Sequence, residues 1–109
     1  MNRRRMRMTT STGIFRVRMR SQFPMATRLN GMDAREYLLS MLREHDVVVL
    51  DFENSAPTPS FADECVGRLA QTLGFGSFKS RIRMANVPSP AKPLIKHVVM
   101  RRTREVAVP

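Results

Sequence analysis

Four carboxylates and one serine are the closely spaced residues of this chain that could do chemistry. Asp51 and Glu53 flank Phe52, and Asp63 and Glu64 stand shortly after them. Paired carboxylates perform acid/base work when their surroundings split their pKa values, and otherwise they cap helices or face water. Between the pairs, Ser60 precedes a row of apolar residues four apart, Phe61, Cys65, Leu69 and Leu73. A serine there suits the N-cap of a helix, with Asp63 in the place of a capping-box acid, and a phosphate at the same position would be favoured by the exposed amides. Ser60 is thus both a candidate cap and a candidate phosphosite, and Ser55 and Thr58 are weaker hydroxyls in the same segment. Cys65 falls inside the apolar row and reads as a small buried hydrophobe, not a nucleophile. His45 and His97 share no ligand spacing with the single cysteine, so no metal set is expected. Gly74-Phe75-Gly76 follows a helical pattern, whereas a nucleotide-binding loop follows a strand. No catalytic residue, cofactor or metal is expected, and the chain does not read as an enzyme.

The formal charge of +10 is unevenly spread. Residues 1–32 hold eight arginines and no acid, residues 33–78 hold three arginines against eight acids, and residues 79–109 hold eight basic residues against Glu105. Arg3, Arg4, Arg5, Arg7, Arg16, Arg18 and Arg20 could contact a polyanion, because clustered arginines neutralise phosphates and release counterions. With one tyrosine and no tryptophan, the chain has little to stack on bases, so nucleic-acid binding through these arginines is expected to be weak and salt-sensitive.

These residues need a scaffold, and 109 residues provide one core. Met1 to Thr12 is basic with nothing to pack, and is expected to be a flexible arm over 1–12, followed by one domain over 13–103 and a tail over 104–109. The alternation from Phe15 to Arg20 predicts an edge strand, and Asn30-Gly31 a turn. Ala34, Leu38, Met41 and Leu42 predict a helix from Met32 to Glu44. Val47 to Phe52 is apolar without alternation, the signature of a central strand covered on both faces. A proline-bearing loop over Glu53 to Pro59 leads to the helix opened by Ser60 and ended by Gly74. Phe75 to Ser80 reads as a connection, Arg81 to Ala85 as another strand, and Pro90 onward as a last helix. Strands alternating with helices predict an α/β domain with a mainly parallel sheet. No run is long and apolar enough to cross a bilayer, no secretory signal is present, and the lone cysteine suits a reducing, cytoplasmic location.

VVVLDF at 47–52, then a short loop and SFADE at 60–64, together with ATRLNG at 26–31 and the strand and turn at 81–86, resemble the STAS-like family of unknown function. The resemblance implies a single small mixed or mainly parallel β-sheet with helices packed on it, serving as a non-enzymatic regulatory module. In the wider superfamily, bacterial anti-sigma factor antagonists carry a serine at the start of the helix after the central strand, and a partner kinase phosphorylates it. Ser60 occupies the equivalent place, although the antagonist pattern is Asp-Ser-Ser-Gly and this chain has Pro59-Ser60-Phe61-Ala62. The resemblance further implies a histidine-kinase-like ATPase as protein partner, met by a surface made of Asp51, Glu53, Asn54, Ser55, Thr58, Ser60, Phe61, Asp63 and Glu64.

Overall fold

The β-branched run at the centre of the chain becomes the middle of a three-stranded parallel sheet. In the computed structural model, which describes residues 13–107, strand β1 (Ile14–Arg18) pairs with β2 (Val47–Asp51), and β2 pairs with β3 (Ile82–Ala85). Arg3, Arg4, Arg5 and Arg7, with the expected arm over 1–12, lie outside the described residues. Between β1 and β2 the chain forms a short helix α1 (Met19–Gln22) and a long helix α2 (Arg28–Leu42). After β2 comes a continuous helical rod made of α3 (Pro59–Ala62), a π-helical turn (Asp63–Gly67) and α4 (Arg68–Leu73). Helix α5 (Phe75–Arg81) leads into β3, and a 3-10 turn (Ser89–Ala91) opens α6 (Lys92–Ala107), whose backbone continues into the segment 104–109. This is the expected α/β architecture.

Val17, Val48, Leu50 and Ile82 are buried on one face of the sheet, against Leu38 of α2, Phe61, Cys65, Val66 and Leu69 of the rod, and Ile95 and Val98 of α6. The other face is open, which corrects the expectation that β2 is covered on both sides. Val49 is only half-buried and is flanked in register by Arg16 and Arg83, both exposed. Long basic stems can shield a valine while their guanidinium groups stay in water, so the apolar run did not require a second layer.

Three local expectations change. Helix α2 begins at Arg28, because Thr27 accepts the Asn30 amide (3.0 Å) while the Asn30 side chain accepts the Thr27 amide (3.2 Å), a reciprocal cap with Asn in the usual Glu or Gln position. Asn30-Gly31 is therefore helical. Gly31 is needed there because a Cβ would lie 2.9 Å from Glu64 Cβ and 3.0 Å from the Phe61 carbonyl oxygen. Its role is close helix packing and not a turn. Phe75 to Arg81 is a helix, since Gly74 at φ 87° and ψ 148° ends α4 and redirects the chain, in a positive-φ conformation open to glycine but outside the left-handed helical region. Arg81 then donates to the carbonyls of Leu42 (2.6 Å), His45 (2.9 Å) and Asp46 (3.0 Å), satisfying the end of α2 from a distant part of the chain.

Candidate functional site

At the carboxyl end of β2 the backbone enters a conformation that side chains resist. Glu53 (φ 52°), Asn54 (φ 59°) and Asn86 (φ 53°) all have positive φ without being glycine, and they meet. The Asn54 amide donates to the Asn86 carbonyl (2.9 Å), the Asn86 side-chain amide donates to Asp51 Oδ1 (2.9 Å), and the Glu53 amide donates to the same oxygen (2.9 Å). Arg16 donates to Asp51 Oδ2 (2.8 Å), and the Ser21 amide and hydroxyl donate to Glu53. Left-handed residues cost roughly 1–3 kcal/mol each and persist only where surrounding contacts over-determine them. Such a knot at the carboxyl end of a parallel strand occupies the usual position of sites in open α/β sheets.

The loop is also tied at its far end. The Thr58 amide donates to the Met25 carbonyl (3.1 Å) and its hydroxyl to the Ala26 carbonyl (2.5 Å), while Thr58 Oγ1 accepts the Phe61 amide (3.2 Å). Thr58 is therefore the N-cap, Pro59 the first helical residue and Ser60 the second. This corrects the assignment of the cap to Ser60. Proline suits the first helical turn, where no amide donor is needed, so the cap lies two residues before Ser60. Ser60 is half-buried beside the cap.

Asp63 and Glu64 open the π-helical turn and point away from the strand end into a cluster of arginines. Asp63 accepts from Arg102 (2.6 and 2.9 Å), Arg28 (3.1 Å) and Arg101 (3.1 Å). Glu64 accepts from Arg35 (2.9 Å) and Arg28 (3.2 Å), with Arg68 Nε 3.5 Å away. The Arg102 hydrogen bonds outweigh burial and hold the Asp63 carboxyl well below the usual carboxylate range. Burial pushes Glu64 upward, but Arg35, Arg28 and Arg68 together bring it below its ordinary value. Asp51 is lowered by the Asn86 side chain and the Glu53 amide, and Glu53 by the Ser21 hydroxyl. All four carboxylates are thus ionised near neutral pH, whereas a general acid needs a raised pKa. The two pairs have separate partners and form no shared acid/base site.

The family described as a STAS-like domain of unknown function (DUF4325) matches residues 34–92, more than half of the chain. The chain belongs to this STAS-like family. The matched segment runs from within α2 to the start of α6, and so includes β2, the strand-end knot and the whole helical rod. No curated protein and no solved structure matches the chain.

In this STAS-like domain the proposed contact residues differ in accessibility. Asn54 and Thr58 are exposed, Glu53, Ser55, Ser60 and Glu64 are half-buried, and Asp51, Phe61 and Asp63 are buried. The loop and helix start therefore present Asn54, Ser55, Thr58 and Ser60, while Phe61 and Asp63 hold the rod in place. Arg16, Arg18 and Arg20 are exposed near the β1 end. Cys65 is fully buried, and burial pushes its thiol up to about 12, far from the thiolate a nucleophile requires. His45 stacks on Phe15 with ring centroids 4.6 Å apart. Among the described residues no group of histidine, cysteine and carboxylate side chains could hold a metal, and no helix is long and apolar enough to cross a membrane.

Sequence reasoning missed an apolar cavity of about 640 Å³ between α5, the end of β3 and α6. Phe78, Ile95 and Val99 form its buried walls, and Phe75 and Met100 are exposed at its mouth. Reading 75–80 as a connection hid it, because the cavity exists only once Phe75 and Phe78 lie on a helix facing α6. The spacing Phe75 to Phe78 was the available signal.

Proposed function

We propose that this STAS-like domain is a protein-interaction module whose contact surface is the loop from Glu53 to Ser60, with a histidine-kinase-like ATPase as the partner. The observation that carries the reading is the knot of Glu53, Asn54 and Asn86, in which three non-glycine residues keep a costly backbone conformation within a network that joins Asp51 to Arg16 of β1 and to the Asn86 side chain, and Glu53 to Ser21 of α1. A surface held this rigidly loses little entropy on binding. Ser60 is the proposed control point: it stands at the second helical position, where a phosphate would meet the positive end of the helix dipole. The test is titration of the domain with such an ATPase from the same organism by calorimetry, using wild type, Ser60→Ala, Ser60→Asp and Asn54→Asp, the last keeping a residue that tolerates the left-handed backbone at φ 59°. The reading requires saturable binding by wild type, a loss of tenfold or more for Asn54→Asp and a comparable change for Ser60→Asp, with unfolding midpoints preserved. Equal affinity for all four proteins removes both the surface and the switch.

A second reading, contact with a nucleic-acid backbone, is supported by a polar recess of about 420 Å³ lined by Arg16, Arg18, Ser21 and Gln22. Binding of this kind weakens steeply as salt rises and carries no base preference. Measuring affinity for duplex DNA at two salt concentrations, with Arg18→Glu as the control, separates it from the first.

A further inference from the structure

The chain contains sixteen arginines and only three lysines, Lys79, Lys92 and Lys96. Two of them line the α5–β3–α6 cavity, and the third contacts one of its lining residues. Lys92 and Lys96 line it, one helical turn apart on α6, and the Lys79 ammonium sits 5.6 Å from the ring centroid of Phe75, which lines it as well. Every ion pair among the described residues uses an arginine, and no carboxylate lines this cavity. The α6 side of the cavity thus carries two positive charges that no described carboxylate neutralises, beside walls of Phe78, Met84, Val87, Ile95 and Val99.

We propose that this cavity binds a small amphipathic anion, an acyl or aryl carboxylate whose apolar body enters between α5 and α6 while its head group stays at the lysine rim. The volume falls within the roughly 300–1,000 Å³ typical of small-ligand pockets. Apolar walls from three elements, α5, β3 with its following turn, and α6, suit the body of one molecule better than the face of a large partner. Lysine fits the rim better than arginine: a compact ammonium on a flexible stem can follow a carboxylate, whereas a planar guanidinium tends to stack across an aromatic mouth. Two lysines a turn apart on one helix also favour an anion over a neutral or cationic amphiphile, since both charges act on the same head group.

The probe is dodecanoate, titrated below its micelle concentration into the full chain and followed by calorimetry and by amide chemical shifts. One-to-one saturable binding is expected, with shifts concentrated at Phe75, Phe78, Val87, Ile95, Val99 and Met100, and dodecyltrimethylammonium should bind at least tenfold more weakly. Lys92→Glu combined with Lys96→Glu should weaken dodecanoate at least tenfold, while Arg18→Glu, on the open sheet face, should leave it unchanged. Lys92 and Lys96 are exposed, so the double variant should keep its unfolding midpoint; shifts in the double variant localise any residual binding. The proposal is overturned if the cationic amphiphile binds equally, if the shifts map to the arginine-bearing surfaces, or if dodecanoate does not saturate. Cosedimentation with phosphatidylglycerol vesicles that depends on Lys92 and Lys96 would overturn it in favour of a membrane surface.

Discussion

Two basic regions of this molecule, the arginines around Asp63 and Glu64 and the lysines around the α5–β3–α6 cavity, put the same formal charge to different structural use. Around the carboxylates, Arg28, Arg35, Arg101 and Arg102 each find an acceptor, and together they tie the start of α2 and the end of α6 to the π-helical turn. Around the cavity, Lys92 and Lys96 touch no carboxylate of the described chain and join no two elements by an ion pair. Arginine's planar fork can hold several oxygens at once, so it serves as a clamp, whereas an unpaired lysine leaves its charge for something that arrives from outside. Positive charge alone therefore says little about where a basic chain binds anions; whether the folded molecule has already consumed that charge says more.

Removing the centre of the clamp should give the largest effect. Asp63→Ala removes the buried carboxylate on which Arg28, Arg101 and Arg102 converge, and breaking such a pair typically costs about 3–5 kcal/mol. Urea denaturation measures it, and a loss below about 1 kcal/mol would mean that the clamp is no more than surface charge.

Gly31→Ala probes the same junction sterically. Alanine normally improves an exposed helix position by about 1 kcal/mol over glycine. Here the new Cβ meets Glu64 Cβ and the Phe61 carbonyl, so the substitution should cost about 1–3 kcal/mol by overpacking. Gly76→Ala, in the helix at the cavity mouth with open space around it, should instead be neutral or stabilising. The same sign at both positions, by thermal unfolding, would break the distinction between a packed clamp and an open rim.

Acid should separate the regions further. Asp63 and Glu64 are lowered in the folded state, so their contribution is full above the ordinary carboxylate range and is lost as pH falls through and below about 4. Asp63→Asn should flatten this part of the pH–stability curve. Replacing Lys92 and Lys96 by methionine should leave its shape unchanged and shift overall stability by no more than about 0.5 kcal/mol.

The smallest differences concern the helix start. Thr58→Ala should cost about 1 kcal/mol, the usual value of an N-cap, while Ser60→Ala should cost less because Ser60 is not the cap. A reversed order would return the cap to Ser60.

The α/β architecture, the central position of Val47 to Asp51, the burial of Cys65 and the resemblance to the STAS-like family were all legible from the residues themselves, because β-branched runs and apolar rows four apart encode local structure and its buried face. Tertiary structure alone decided that Gly31 serves close packing against Glu64 and Phe61 and not a turn, whereas the reciprocal cap of Thr27 and Asn30 that starts the helix before it is local. It also decided that Thr58 caps the rod, through a loop anchored on Met25 and Ala26, and that one sheet face stays open behind Arg16 and Arg83. The pairing of Asp63 with arginines 35 to 39 residues away could not be read from spacing, nor could the placement of Lys92 and Lys96 beside apolar walls supplied by α5 and β3, because a sequence states which charges a chain has while folding determines what they meet.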